Sequence, residues 1–177
     1  MFGLEYVIFR PHNVYGERQN IGDRYRNVVG IFMNQLLRGE PMSIFGDGTQ
    51  IRAFTHMDDV APVIAPSVDC PGARNQIFNV GANEPYTVNR LAQIVAAVLG
   101  KKCRTVHLDG RKEAKLSQIT ANEKFFGGRE KTLLESGVQS MADWVRRYGS
   151  RESNNFEGTE ISRNLPSFWN RISKVAV

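Results

Sequence analysis

Tyr6-Val7-Ile8-Phe9-Arg10-Pro11-His12-Asn13-Val14-Tyr15-Gly16 is the stretch that decides the fold. Its apolar run is too short for a helix and stops before a proline, so it reads as a strand. Unbroken apolar character predicts burial on both faces, as in a parallel sheet. Such a strand needs a neighbour on either side, and nothing before Tyr6 supplies one, so its partners are expected from outside the chain. Several polar groups gather at its carboxyl end. In open α/β sheets ligands bind beyond the carboxyl ends of strands. Asn13 is placed there to hydrogen-bond a ligand; alternatively, Asn13 and Gly16 only shape a turn.

Outward from this stretch, strands and helices alternate. Asn27 to Gly39 carries apolar residues at 28, 31, 32 and 36, which is helical spacing, with Asn27 as N-cap and Gly39 as stop. Met42–Phe45 reads as a strand, Gly46-Asp47-Gly48 as a turn, and Gln50–Phe54 as a second strand. Asp58 and Asp59 favour a helix start, which Pro66 should end or kink. Gln76–Gly81 is a strand and its turn. Thr87 caps a helix with apolar positions 88, 91, 95, 98 and 99, closed by Gly100. Arg104–Leu108 is a weak strand. Thr132-Leu133-Leu134-Glu135 forms a capping box for a helix that buries Val138, Met141, Ala142 and Val145. The alternation predicts an α/β domain over residues 1–149. From Ser150 the chain turns polar, and 150–177 is expected to be a loose tail.

Composition narrows the function. The chain has 177 residues, enough for one domain with a core, and 41% of them are hydrophobic. A net charge of +5 raises the possibility of a nucleic-acid partner. However, the basic residues are scattered, with one cluster at Lys101, Lys102 and Arg104, so nucleic acid is not expected as the partner; a phosphate-bearing small molecule uses the same cations more economically. No apolar run approaches a membrane span, and no signal peptide is evident. Cys70 and Cys103 give neither a zinc pattern nor a disulfide framework, which predicts a reducing, cytoplasmic setting.

Few residues carry specific chemistry. Arg52 sits in an otherwise uncharged strand beside a glycine turn, where a guanidinium can fork onto a diphosphate and Phe45 can lie against a flat base; they can equally be a surface arginine beside a core phenylalanine. Arg111-Lys112-Glu113 alone reads as a solvated charge run. His12, His56 and His107 lack metal-ligand spacing and read as turn or core histidines. Asp58-Asp59 reads as helix capping. No Gly-x-Ser-x-Gly elbow and no Gly-x-Gly-x-x-Gly loop occurs.

Four stretches stand in a particular order: Arg10-Pro11-His12-Asn13-Val14-Tyr15-Gly16, Ile44-Phe45-Gly46-Asp47-Gly48-Thr49-Gln50-Ile51-Arg52, Thr55-His56-Met57-Asp58-Asp59-Val60 and Phe78-Asn79-Val80-Gly81. From Leu4 to Gly149 the chain resembles the extended short-chain dehydrogenases, in particular UDP-glucose 4-epimerase-like members of the NAD-dependent epimerase/dehydratase family. The resemblance implies the C-terminal, substrate-binding part of an extended Rossmann-type epimerase fold, without the N-terminal dinucleotide-binding strands. It implies that His12 lies near the nicotinamide end of NAD and that Asn13 holds the diphosphate-sugar. Asn27 and Val28 would touch the nucleotide diphosphate, Ser43 and Phe45 would flank uracil, and Arg52 and Arg111 would clamp the diphosphate.

Family members oxidise the sugar transiently with NAD and move a proton with a Tyr-x-x-x-Lys pair. No tyrosine here has a lysine four residues later. Ala53 stands where the family usually has aspartate, and Gln118-Ile119-Thr120-Ala121-Asn122 replaces its Asp-x-Ser-Lys-Ala stretch. The implied function is UDP-sugar binding, inactive alone, with a separate cofactor-binding half or self-association. The rival readings are a non-catalytic remnant or nucleotide-sugar binding module, and a basic nucleic-acid binder.

Overall fold

The computed structural model describes residues 3–23, 25–110, 123–127 and 130–152. Along the chain these form β1 (Val7–Pro11), β2 (Val14–Tyr15), α1 (Val28–Leu37), β3 (Met42–Phe45), β4 (Ile51–Arg52), β5 (Thr55–His56), α2 (Ala61–Ile64), β6 (Gln76–Val80), β7 (Tyr86–Thr87), α3 (Val88–Leu99), β8 (Thr105–Leu108), α4 (Glu123–Phe126) and α5 (Leu134–Tyr148). They gather into two units. The first comprises Met1–Gln19, Ile51–Tyr86 and Leu116–Tyr148; the second comprises Asn20–Gln50, Thr87–Lys115 and Gly149–Val177.

In the first unit β1 pairs in parallel with β6, from Val7 beside Gln76 to Pro11 beside Val80. Side chains alternate across a strand, so this register sorts them by face. Phe9 and Phe78 stack with ring centroids 5.8 Å apart. With Phe125 and Phe126 they pack on Val60, Val63, Ala73 and Val80. Ile8 lies beside Ile77 on the other face, and these side chains stay 44% and 51% exposed. Tyr6 is also exposed. The run is apolar throughout, but the described residues cover one face only, so the other lacks the cover that the sequence reading expected to come from elsewhere. Its parallel pairing is as expected.

β2 pairs in parallel with β5. The expected strand over Gln50–Phe54 is replaced by the short β4 and β5, with buried Ala53 and Phe54 between them. The helix expected from Asp58 is divided into a 3-10 turn (Met57–Asp59), α2, and a second 3-10 turn (Ala65–Asp69) that holds Pro66 in its first turn. A proline has no N–H to continue a helical ladder, and this one breaks the regular helix at Ile64.

Thr132, expected to cap α5, is held by a residue of another element. Buried Asp59 accepts the Thr132 N–H at 3.0 and 3.2 Å and its hydroxyl at 3.2 Å, while Gly137 N–H donates to Leu133 O. A carboxylate accepts these donors more strongly than a helix N–H could use the hydroxyl. Asp59 thus ties down the entry to α5, whose Val138, Met141, Ala142 and Val145 are buried as their spacing predicted.

In the second unit β3 pairs in parallel with β8. α1 and α3 pack on each other and on β3, burying Phe32, Met33, Leu36, Met42, Ile44, Leu91 and Val95. Thr87 caps α3 by accepting from Arg90 N–H at 3.1 Å, and Gly100 closes it at φ +65, a conformation glycine enters without steric cost. Asn27 stands at the N-cap of α1, but its side chain makes no capping hydrogen bond.

Candidate functional site

In the first unit, residues far apart in sequence meet at the carboxyl ends of β1 and β6. His12 N–H donates to Val80 O at 3.1 Å. Asn13 follows at φ +40, a region that asparagine tolerates better than most residues. Its Nδ2 donates to Ala53 O at 2.8 Å, and its carbonyl accepts Thr55 N–H at 3.3 Å. Thr55 Oγ1 in turn accepts Ala82 N–H at 3.0 Å. Parallel pairing makes this convergence unavoidable, because adjacent parallel strands end on the same side. Arg52 Nη1 donates to the carbonyl of Ile51 at 2.9 Å, which folds the guanidinium against its own strand.

Beside this cluster stands a tightly packed support. Tyr15 and His56 are buried and meet edge-to-face at 5.4 Å. Tyr15 Oη donates to Leu134 O at 3.4 Å. Burial, then the negative charge of Asp59, pushes the Tyr15 phenol far above its ordinary range, so it stays protonated. His56 Nδ1 accepts Asp58 N–H at 3.4 Å. Gly137 of α5 lies against both rings: a Cβ there would land on Tyr15 Oη and lie 3.0 Å from His56 Cδ2. His56 is thus the core histidine expected. Among the described residues no cluster of three or more His, Cys, Asp or Glu suits a metal ion.

The second unit holds Asn27, Val28, Ser43 and Phe45. Ser43 and Phe45 are half-buried on β3, alternating with buried Met42 and Ile44. Gln35 of α1 reaches Ser43 twice, through Oε1 to its N–H at 3.1 Å and through Nε2 to its Oγ at 2.9 Å. Gln50 Nε2 donates to Phe45 O at 2.8 Å. The sequence reading missed both glutamines, since no spacing rule links a helical glutamine to a strand residue eight positions later. His12, Asn13 and Arg52 therefore belong to one unit, and Asn27, Val28, Ser43 and Phe45 to the other. Arg111 and the 118–122 stretch lie outside the described residues.

Residues 1–81 match the NAD dependent epimerase/dehydratase family. The crystal structure of UDP-glucose 4-epimerase with UDP-glucose from Thermotoga maritima is 32% identical, with a TM-score of 0.73 over 83% of this chain and 48% of that one. The chain belongs to the NAD dependent epimerase/dehydratase family. The Thermus thermophilus UDP-glucose 4-epimerase complex with NAD is 28% identical, with a TM-score of 0.67 over 82% of this chain and 48% of that one. The UDP-glucuronate 4-epimerase of Thermodesulfobacterium geofontis is 27% identical over 82% of this chain and 45% of that protein. The chain spans about half the length of the curated relatives it matches.

The fold class read from the sequence is as observed, an α/β chain with parallel strand pairs that matches Rossmann-like epimerases. For the family's NAD, the one residue assigned by resemblance is His12, whose backbone N–H is already committed to Val80. None of the chain's described helices is long and apolar enough to cross a membrane.

Proposed function

We propose that this chain is the nucleotide-sugar-binding part of an NAD-dependent sugar epimerase, that its ligands are UDP-sugars, and that it does not turn over by itself. The observation that carries this reading is the match to the Thermotoga maritima UDP-glucose 4-epimerase, crystallised with UDP-glucose, over 83% of the chain. The meeting of three of the family stretches at the carboxyl ends of β1 and β6 supports it, since ligands of open α/β sheets bind there. The proposed contacts are Asn13 and Arg52 from the first unit, Asn27, Val28, Ser43 and Phe45 from the second, and Arg111. Residues 1–149 constitute the proposed substrate lobe and 150–177 a polar tail.

Cofactor chemistry then falls to a separate cofactor-binding segment, with His12 at its margin. The bare outer face at Tyr6, Ile8 and Ile77 favours such a segment as its cover, because several exposed apolar side chains on one sheet face are a costly surface to leave in water. Without that cover, the same face is the proposed route to self-association. A cytoplasmic setting agrees with two free cysteines, one of them exposed. A second reading, a nucleotide-sugar binding module without any catalytic partner, is favoured by Ala53, which offers no carboxylate where the family usually carries one.

Titration calorimetry with UDP-glucose tests the proposal. A forked cationic contact to a diphosphate contributes about 1.5–3 kcal/mol. Arg52→Ala should therefore weaken binding roughly tenfold or more, while Arg163→Ala in the tail should change it little. Binding by both variants equal to the parent's would remove Arg52 from the site. Epimerase turnover by the purified chain alone would refute the inactive-half reading.

A further inference from the structure

Shortly after α5 ends at Tyr148, a side chain grips the backbone. Arg151 N–H donates to Asn34 Oδ1 at 2.9 Å, and Asn34 Nδ2 donates back to Arg151 O at 3.0 Å. A backbone N–H can only donate and a carbonyl can only accept, so one orientation of the amide satisfies both. Asn34 is 5% exposed and sits within α1 beside buried Met33 and Phe32. An amide buried there needs partners, and the backbone of one residue supplies both. The same segment comes close to Gly22. A Cβ at Gly22 would stand 2.8 Å from Glu152 O and 3.0 Å from Arg151 Cβ, closer to that carbonyl than a methyl group tolerates. Arg151 and Glu152 are themselves exposed. The contact therefore reads main chain: it needs an N–H at position 151 and no side chain at position 22.

We infer that residues 149–152 are a strap, seated in a slot formed by Asn34 and Gly22, and that the strap holds the loop before α1 in the form that presents Asn27 and Val28. The second half of this inference rests on the nucleotide-sugar reading above. The loop is a series of small turns. Gly22 N–H donates to Asn20 Oδ1 at 3.2 Å, and Asp23 N–H donates to Asn20 O at 3.3 Å. Asp23 Oδ1 accepts Tyr25 N–H at 2.9 Å and Arg26 N–H at 3.2 Å. Asn27 then enters α1 at φ +67, a left-handed conformation that the surrounding structure has to hold. A strap against Gly22 acts at the first turn of this series. With the strap seated, the loop is ordered before a nucleotide arrives. Without it, binding must order the loop, and affinity falls.

The test uses the full chain. Arg151→Pro removes the N–H that Asn34 accepts and leaves the core untouched, whereas Arg151→Ala keeps that N–H. Hydrogen exchange over residues 20–26 reads the loop, and calorimetry with UDP reads the site. Arg151→Pro should speed exchange there roughly tenfold, as local opening becomes easier. It should also weaken UDP by roughly three- to tenfold, the scale of ordering about one residue's backbone on binding. Arg151→Ala should change neither. Gly22→Ala should expel the strap from the slot's other side, and so add little once Arg151→Pro is present. Fully additive effects of these two would overturn the slot. Unchanged exchange in Arg151→Pro, or equal damage from Arg151→Ala, would overturn the strap. Faster exchange with unchanged UDP affinity would overturn the strap's control of the site while the nucleotide-sugar reading stands. If the parent binds no UDP, that reading fails and the control falls with it, while exchange still decides the strap.

Discussion

The two parallel strand pairs, β1 with β6 and β3 with β8, are built alike and finished differently. β3 buries Met42 and Ile44 beneath α1 and α3 and turns Ser43 and Phe45 the other way, where the side chains of Gln35 and Gln50 satisfy part of the strand's free edge. β1 and β6 pack half-buried Phe9 against buried Phe78 and Val80 on one face but leave Tyr6, Ile8 and Ile77 on the other. The β3–β8 pair is closed on its helix side, and its other side carries half-buried Ser43 and Phe45 beside Leu108 and Val106, the latter 41% exposed. The other is apolar on both sides and matched on one. A sheet face that is apolar but exposed is written for a cover that the described residues do not provide.

That difference sets the largest expected contrast. Ile44→Ala in the closed pair should destabilise the chain by about 2–5 kcal/mol, the usual range for truncating a fully buried isoleucine. Ile8→Thr, on the bare face, should change stability by no more than about 0.5 kcal/mol, as for most surface substitutions. It should also reduce self-association, which sedimentation at several concentrations reads directly. Urea unfolding of both variants makes the comparison. Equal losses would mean that something within the chain covers Ile8, and the two strand pairs would no longer differ.

A second substitution sharpens the comparison within the first unit, whose interior is as tightly fitted as its outer face is bare. Gly137 leaves no room for a methyl group against Tyr15 and His56. Gly137→Ala would normally stabilise a helix slightly. Here overpacking should dominate and cost about 1–3 kcal/mol, because two buried rings must shift. If thermal unfolding shows Gly137→Ala as stable as the parent, the α5 contact is softer than its geometry implies.

How much of this was legible in the sequence follows from where each signal is stored. Helices α1, α3 and α5 and the parallel pairing of β1 were readable, because periodicity and apolar runs are local. The family was readable from four short stretches in order. Which face of β1 stays bare was not, since a run such as Tyr6-Val7-Ile8-Phe9 reports what a strand can bury, not what is present to bury it. Thr132 looked like a helix cap because Glu135 follows it. The deciding partner was Asp59, which is 73 residues away along the chain. Gln35 gave no signal for a similar reason: its partner sits on another element, and either could have been replaced without disturbing any pattern. Local propensity is written along the chain, whereas side-chain pairing between elements is not.

The smallest effect concerns the turn that follows β3. Asp47 accepts the Thr49 hydroxyl at 2.7 Å and the Thr49 N–H at 2.9 Å, and Asn89 Nδ2 donates to the Asp47 carbonyl at 2.9 Å. The Thr49 hydroxyl is the main cause that holds the Asp47 carboxyl below its ordinary value of 3.8, and the Thr49 N–H is the next. A carboxyl whose folded pKa is depressed stabilises the fold above its unfolded pKa, and that contribution disappears as pH falls through the folded value. The turn should therefore be fully supported at neutral pH and down to about pH 4, and weaken below it. Asp47→Asn keeps an oxygen that can accept from Thr49 but cannot titrate. Its urea midpoint should fall less than the parent's between pH 7 and pH 3, by a small margin because the carboxyl is exposed and screened. The same margin should vanish in a Thr49→Ala background, where the hydroxyl chiefly responsible for the shift is gone. A difference that survives this second substitution would assign the acid sensitivity to His107, the other charge that lowers Asp47, and not to the turn's own hydrogen bonds.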